Sequence, residues 1–179
     1  AEKDGILTGD PTELALFEAA LQAGFDRKGL EQTLPRLAAI PFDSERKLMT
    51  TLHGSHNNVM AYVKGAPEQL LSRCKRQLSA SPSVSLNTGK ILQQAEQLAG
   101  EGYRVLAFAR RDLSILPKPL DTATTEQELS FLGLVALIDP PREEAAQAVA
   151  DCLTAGITPV MITGDHPGTA MAMAKRLGI

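Results

Sequence analysis

The spacing of apolar residues in the first third of the chain predicts one helix followed by three strands. Apolar side chains recur at helical spacing over residues 12–24, where Asp10 or Thr12 can cap the first turn and Pro11 lies near it. Three short apolar runs predict β-strands: residues 37–42, 47–52 and 59–63. The polar stretch 54–58 separates the last two runs, so we expect these to form a β-hairpin.

Further along, the pattern predicts two more helices and a fourth strand. Pro67 opens a short helix, and an apolar stripe over residues 91–99 predicts another, closed by glycines. A strand follows at residues 103–109. Loops are expected where Ser, Pro, Thr or Glu cluster without apolar periodicity: residues 79–89 and 114–130.

After residue 130 the apolar pattern changes. It predicts a nearly continuous apolar strand, a helix, a second apolar strand and a final helix, in that order: residues 131–138, 142–155, 158–162 and 167–177. Alternating strands and helices with fully apolar strands are typical of a buried parallel sheet. We therefore predict an α+β domain with an antiparallel sheet and flanking helices at residues 1–125, and an incomplete α/β parallel-sheet portion at 126–179.

Composition narrows the possible classes of function. Hydrophobic residues make up 44% of the 179 residues and charged residues 22%, which is typical of a folded globular chain. The formal net charge of -3 gives no overall attraction to nucleic acid, so no nucleic-acid partner is expected. Cys74 and Cys152 lack metal-ligand or disulfide spacing and are interpreted as buried thiols. No apolar run approaches the ~20 residues that span a bilayer.

The strand ends after residue 130 carry candidate chemistry. Thr163, Gly164 and Asp165 follow a predicted parallel strand, at the edge where α/β sheets bind ligands, and they suit a phosphate with magnesium. Asp139 follows the preceding strand and brings a second carboxylate to that edge. The alternatives are an ordinary turn for the first group and a helix cap at Asp139.

The first part of the chain holds a second set of candidates. Lys64 ends a strand beside Gly65, where a ligand's flat face could approach, and Phe42 lies among charged residues like a base-stacking platform. Arg104 begins an apolar strand and could bind a phosphate. Taken singly, each has an ordinary alternative: a solvated lysine, a core phenylalanine and a surface ion pair. Phosphate-loop, dinucleotide and nucleophile-elbow motifs are absent from the sequence.

In order, six motifs resemble those of P-type cation-transporting ATPases: Gly9-Asp-Pro-Thr-Glu13, Phe42-Asp-Ser-Glu-Arg-Lys47, Lys64-Gly-Ala-Pro-Glu68, Arg104-Val-Leu-Ala107, Asp139-Pro-Pro-Arg142 and Thr163-Gly-Asp165. The resemblance covers the nucleotide-binding domain and the first, haloacid dehalogenase-like part of the phosphorylation domain. The forms of the second and fifth motifs look most like the type II pumps, and the calcium pumps in particular.

The resemblance implies that ATP is bound by residues from the first four motifs. Phe42 would stack on adenine, with Lys64 and Gly65 lining the pocket around it. The remaining nucleotide contacts would be Glu13 to the base, Lys47 as positive charge at the pocket edge and Arg104 to the phosphates.

It also implies catalytic roles near the end of the chain. Thr163, Gly164 and Asp165 would meet the γ-phosphate and Mg²⁺, and Asp139 would belong to the hinge between the domains. The phosphate-accepting Asp-Lys-Thr-Gly-Thr segment is not in this sequence, so we expect a catalytically inactive cytoplasmic piece of an integral membrane protein. Its partners would be ATP and the remaining phosphorylation, actuator and transmembrane domains.

Two alternatives come from different classes of protein. One is a soluble phosphatase of the haloacid dehalogenase superfamily, which needs an Asp-x-Asp nucleophile motif that this sequence lacks. The other is a non-catalytic nucleotide-binding or interaction module. An interaction module would leave Phe42, Lys64 and Glu13 without a shared task.

Overall fold

The chain folds into two compact units. The computed structural model describes residues 2–3, 6–7, 9–55, 58–78, 85–138, 141–163 and 167–179. One unit comprises residues 1–86 and 107–133, and the other comprises 87–106 and 134–179. The domain boundary expected after residue 125 stays a prediction.

Seven helices and eight strands lie within the described residues. The helices are α1 Pro11–Gln22, α2 Arg27–Thr33, α3 Pro67–Leu71, α4 Thr88–Gly100, α5 Thr122–Thr125, α6 Glu143–Thr154 and α7 Pro167–Leu177. The strands are β1 Glu2–Lys3, β2 Ile6–Leu7, β3 Arg36–Asp43, β4 Leu48–Ser55, β5 Asn58–Gly65, β6 Cys74–Gln77, β7 Arg104–Leu113 and β8 Leu129–Leu137.

A six-stranded sheet in the order β3-β4-β5-β7-β8-β6 forms the framework. The pairs β3–β4, β4–β5 and β5–β7 are antiparallel, while β6 and β8 are parallel. The six-stranded sheet with flanking helices agrees with the α+β architecture expected for the first domain, but the sheet is mixed rather than antiparallel, and β8, expected in the second portion, belongs to it. The predicted β4–β5 hairpin is also confirmed, with its tip residues His56 and Asn57 outside the described residues.

The core lies against one face of this sheet. Leu48, Leu52, Ala61 and Val63 are buried and alternate along β4 and β5 with partly exposed residues. This period of two arises because successive side chains of a strand point to opposite faces, so that a single face can be buried. The apolar runs of the sequence predicted these two strands for that reason.

The predicted strand at residues 158–162 is wrong, and the described residues contain no second parallel sheet. That segment has no strand structure, and Val160 and Ile162 are 78% and 93% exposed. The preceding apolar strand, β8, neighbours β7 and pairs with β6 through residues 129–131, and residues 158–162 add no strand to this sheet. The helices predicted on either side of this segment are confirmed as α6 and α7.

Five short elements were not predicted: β1, β2, α2, β6 and α5. The helix α2 consists mostly of charged and polar residues, and β6 reads Cys-Lys-Arg-Gln, so neither has the apolar periodicity on which sequence prediction depends. The stretch 114–130, expected to be a loop, contains α5 and the start of β8. The two cysteines are free thiols as expected, but each is half-buried rather than buried.

The turn between β3 and β4 is held by Asp43. Its Oδ1 accepts hydrogen bonds from the backbone N–H groups of Glu45 at 3.1 Å and Arg46 at 2.7 Å. The N–H of Lys47 donates to the Asp43 carbonyl at 2.6 Å, and Lys47 adopts a φ of 54°, which is uncommon outside glycine. These bonds fix the turn on which the second motif lies.

Beside this turn, at the end of β5, Gly65 makes a close backbone approach possible. It pairs with Leu48, and the N–H of Ala66 donates to the Lys47 carbonyl at 3.1 Å. A Cβ at position 65 would lie 2.1 Å from the Lys47 carbonyl oxygen, far inside van der Waals contact. Backbone packing therefore requires glycine here.

We expect Gly65→Ala to destabilise the first unit by on the order of 3 kcal/mol, because the added methyl group forces β4 and β5 apart. Gly133→Ala, also in the sheet, is the matched control, since a Cβ there meets nothing within 4 Å. Urea unfolding of both variants measures the difference. Equal midpoints would contradict the packing requirement at Gly65.

Candidate functional site

The structure brings the first-unit candidates to one end of neighbouring strands. Phe42 lies near the end of β3, Lys47 directly precedes β4, and Lys64 and Gly65 end β5. The ladder pairs Asp43 with Leu48 and Leu48 with Gly65, so these strand ends are adjacent. The structure thus groups four of the six nucleotide-binding candidates.

Ion pairs connect this group to two helices. Lys64 Nζ donates to Glu13 Oε1 of α1, which adds a fifth candidate to the group. Lys47 Nζ lies 3.9 Å from Glu68 Oε1 of α3. The two lysines are thus balanced by two carboxylates. The side chains of Lys47, Glu68 and Glu13 are about half exposed, and that of Lys64 is 22% exposed. Exposed pairs contribute only about 0–1 kcal/mol, so an incoming anion can exchange with these carboxylates at little cost.

Phe42 is 61% exposed and does not belong to the core. Ala38 and Ile40, at the even positions before it in β3, are partly buried, so regular alternation would turn Phe42 toward the core as well. A register shift between Ile40 and Asp43 breaks the alternation. Irregularities of this kind change the direction in which a side chain points, and here the result is an aromatic ring that faces solvent on an edge strand. The core alternative for Phe42 is therefore wrong.

The fold itself explains why residue 65 is a glycine. The space where its side chain would stand is filled by the Lys47 carbonyl and Leu48. The close backbone approach explains this glycine without a ligand, and its place in the adenine pocket stays a prediction.

A buried carboxylate that sequence reasoning missed lies behind this group. Glu126 is fully buried, and its Oε1 accepts from Arg46 Nη1 at 2.5 Å and from Thr50 Oγ1 at 2.6 Å. Its Oε2 accepts from Arg73 Nη1 at 3.2 Å. In the sequence Glu126 stands in a polar run expected to be a loop, so no pattern marks it as buried.

The remaining candidates belong to the second unit or lie outside the described residues. Arg104 is the first residue of β7 and is exposed, and Thr163 is exposed in the irregular segment before α7. Asp139, Gly164 and Asp165 lie outside the described residues. The roles expected for all five stay predictions. Within the described ranges, no three His, Cys, Asp or Glu residues are grouped so as to hold a metal ion.

None of the helices in the described part of the chain is long and apolar enough to cross a membrane.

The family model for the cytoplasmic domain N of P-type ATPases matches residues 1–144. Named relatives show the same similarity. The chain is 46% identical over 177 residues to the cation-transporting ATPase pma1 of Synechocystis, covering 98% of this chain and 19% of that protein. It is 42% identical over 174 residues to the probable cation-transporting ATPase F of Mycobacterium bovis, covering 97% and 19%.

A further relative is the calcium-transporting ATPase 1 of Lactococcus lactis, 40% identical over 181 residues, covering 99% of this chain and 20% of that protein. The chain therefore spans about one fifth of the length of the curated relatives it matches.

The exposure of Phe42 predicts that its removal leaves the fold nearly intact. We expect Phe42→Ala to lower the free energy of unfolding by less than about 1 kcal/mol, whereas Phe131→Ala, which truncates a ring only 4% exposed in β8, costs about 3–5 kcal/mol. Thermal and urea unfolding of the two variants make the comparison. A loss for Phe42→Ala as large as that for Phe131→Ala would place Phe42 in the core after all.

Proposed function

Because the chain belongs to the P-type ATPase family and matches its cytoplasmic domain N, we propose that it binds ATP, with adenine stacked on Phe42. We call the exposed residues Glu13, Phe42 and Lys47, together with the partly buried Lys64, the Phe42 surface. The observation that carries the proposal is the 61% exposure of Phe42 at the strand ends that also carry Lys47 and Lys64. An aromatic face exposed next to cations suits a base linked to phosphates, and one base stack contributes about 1–3 kcal/mol.

A nucleotide competes with two carboxylates for the lysines of the Phe42 surface. Lys64 and Lys47 already pair with Glu13 and Glu68, so a nucleotide must share or displace these carboxylates. In this proposal Glu13 bonds to the base, and Arg104 contacts the phosphates. The γ-phosphate partners belong to the other unit, so we expect a Kd of about 0.1–1 mM, or roughly -4 to -5.5 kcal/mol.

For the full-length protein we propose the role suggested by its relatives, which are named as cation- or calcium-transporting ATPases. This domain would deliver ATP to a phosphorylatable aspartate elsewhere in an integral membrane protein, with its phosphorylation, actuator and transmembrane domains as partners. The transport of calcium is the finer part of this proposal, and it rests on the motif forms and on the names of some relatives.

Magnesium enters the proposal through the final motif. Thr163, Gly164 and Asp165 would meet the γ-phosphate and Mg²⁺, the ion that neutralises phosphate charge in phosphoryl transfer, and Asp139 would lie in the hinge. A hydroxyl and a carboxylate are oxygen donors of the kind that Mg²⁺ prefers. The family match over residues 1–144 favours this function over a free-standing phosphatase.

We expect Phe42→Ala to weaken ATP binding roughly five- to 150-fold, the equivalent of one base stack. Phe25→Ala is the matched control, because Phe25 is 56% exposed and lies between α1 and α2, outside the Phe42 surface. Titration of the 179-residue chain with ATP, followed by NMR, gives the two dissociation constants. An unchanged constant for the folded Phe42→Ala variant would refute stacking on this ring.

A further inference from the structure

The carboxylate of Glu126 lies at the centre of a hydrogen-bond network that reaches Phe42. Resting on the ATP-binding function proposed above, we infer that Glu126 is a positioning residue for the Phe42 surface: it holds Arg46, and Arg46 holds the irregular part of β3 that turns Phe42 outward.

The first step is the anchoring of Arg46 by Glu126. Arg46 Nη1 and Thr50 Oγ1 both donate to Glu126 Oε1, at 2.5 and 2.6 Å. A carboxylate removed from water is stable as an ion only when charged or polar donors replace its hydration, and the two arginines at Glu126 supply this. The Arg46 side chain is itself only 13% exposed. Its guanidinium is therefore fixed rather than mobile in solvent.

The second step runs from Arg46 to the backbone beside Phe42. Arg46 Nη2 donates to the carbonyl oxygen of Pro41 at 2.7 Å, within the register shift between Ile40 and Asp43. Proline has no N–H to contribute to the ladder, so this segment depends on side-chain bonds for part of its order. The guanidinium fork thus connects the buried carboxylate to the residue that precedes Phe42.

The third step fixes the chain on the other side of Phe42. The N–H of Arg46 donates to Asp43 Oδ1 at 2.7 Å, and the turn closes with the bond from the Lys47 N–H to the Asp43 carbonyl. Arg46 therefore bonds to both residues that flank Phe42, one through its side chain and one through its backbone. Without the Glu126 anchor, both the orientation of the Phe42 ring and the position of Lys47 should therefore be less well fixed.

The second arginine at this carboxylate provides an internal comparison. Arg73 donates to Glu126 Oε2 at 3.2 Å, and its own carbonyl accepts from the Leu129 N–H at 3.0 Å. Arg73 thus also stabilises the Glu126 carboxylate. Unlike Arg46, it lies after α3 in the chain and not in the β3–β4 turn. A positioning role predicts that Arg46 and Arg73 differ in their effect on nucleotide binding.

The experiment measures ATP and AMP affinity of the 179-residue chain by NMR titration, for variants shown to be folded under the titration conditions. We expect Glu126→Gln and Arg46→Lys each to weaken the binding of both ligands about five-fold or more, because part of the base stack is lost. Equal effects on AMP and ATP locate the loss at the base rather than at the outer phosphates. When nearly all molecules are folded, lowered stability alone leaves the dissociation constant unchanged.

Two controls separate positioning from general damage. Glu128→Gln removes a glutamate charge two positions away, where Glu128 Oε1 accepts from Lys75 at 2.5 Å on the surface. Arg73→Lys removes the guanidinium group that donates to Glu126 Oε2. We expect both controls to keep the affinity within about two-fold, since neither loses the bond to Pro41.

The contrary outcomes are distinct. Unchanged affinity in folded Glu126→Gln, or an equal loss in Arg73→Lys and Arg46→Lys, overturns the positioning role while leaving ATP binding intact. Tighter binding in Glu126→Gln also overturns it, because Glu126 would then be withholding Arg46 from the phosphates.

Absence of saturable ATP binding by the unmodified chain refutes the proposed function itself. If Glu126→Gln does not fold, Arg46→Lys decides, since its single ammonium cannot bridge Glu126 and Pro41 as the fork does.

Discussion

The pairing of Leu48 with Gly65 fixes one end of the β4–β5 ladder, and both the core and the candidate site depend on it. Side chains alternate between the two faces of a strand, so a slip of one residue would exchange the buried face with the exposed face. In the observed register Leu48, Leu52, Ala61 and Val63 are buried together. The same register leaves Lys64 on the opposite face, where it pairs with Glu13. The missing side chain of Gly65 permits this register, because the Lys47 carbonyl occupies its place.

The candidate site combines a rigid support with exposed functional groups. Behind it, Glu126 and Arg46 form a buried ion pair, which requires well-placed partners to offset the loss of hydration. In front, Phe42 exposes its ring, and the two lysine–carboxylate pairs remain in contact with solvent. A surface of this kind can exchange its ion pairs for a ligand without unfolding any element. This division of roles fits the nucleotide binding that we propose for this domain.

The sequence predicted the parts of the fold in which periodicity and burial coincide. Residues 47–52 and 59–63 alternate because one face of β4 and β5 is buried, and α1 and α4 were found from helical spacing. The apolar run at 158–162 fits the strand pattern, yet this segment pairs with no strand among the described residues, because periodicity within one segment carries no information on a partner strand. It also carries no information on long-range polar contacts. Arg46 and Glu126 are 80 positions apart, and only the folded chain shows that they meet.

The motifs predicted which residues gather at the site better than they predicted why each is present. Phe42, Lys47, Lys64 and Glu13 do lie together, although Gly65 is explained by backbone packing and Arg46 by its anchor at Glu126. The most direct test of the central claim is an intermolecular nuclear Overhauser measurement on the chain saturated with ATP. Adenine stacking on Phe42 predicts cross-peaks between the adenine ring protons and the aromatic protons of Phe42. Saturable binding with adenine cross-peaks only to residues outside the Phe42 surface would contradict it.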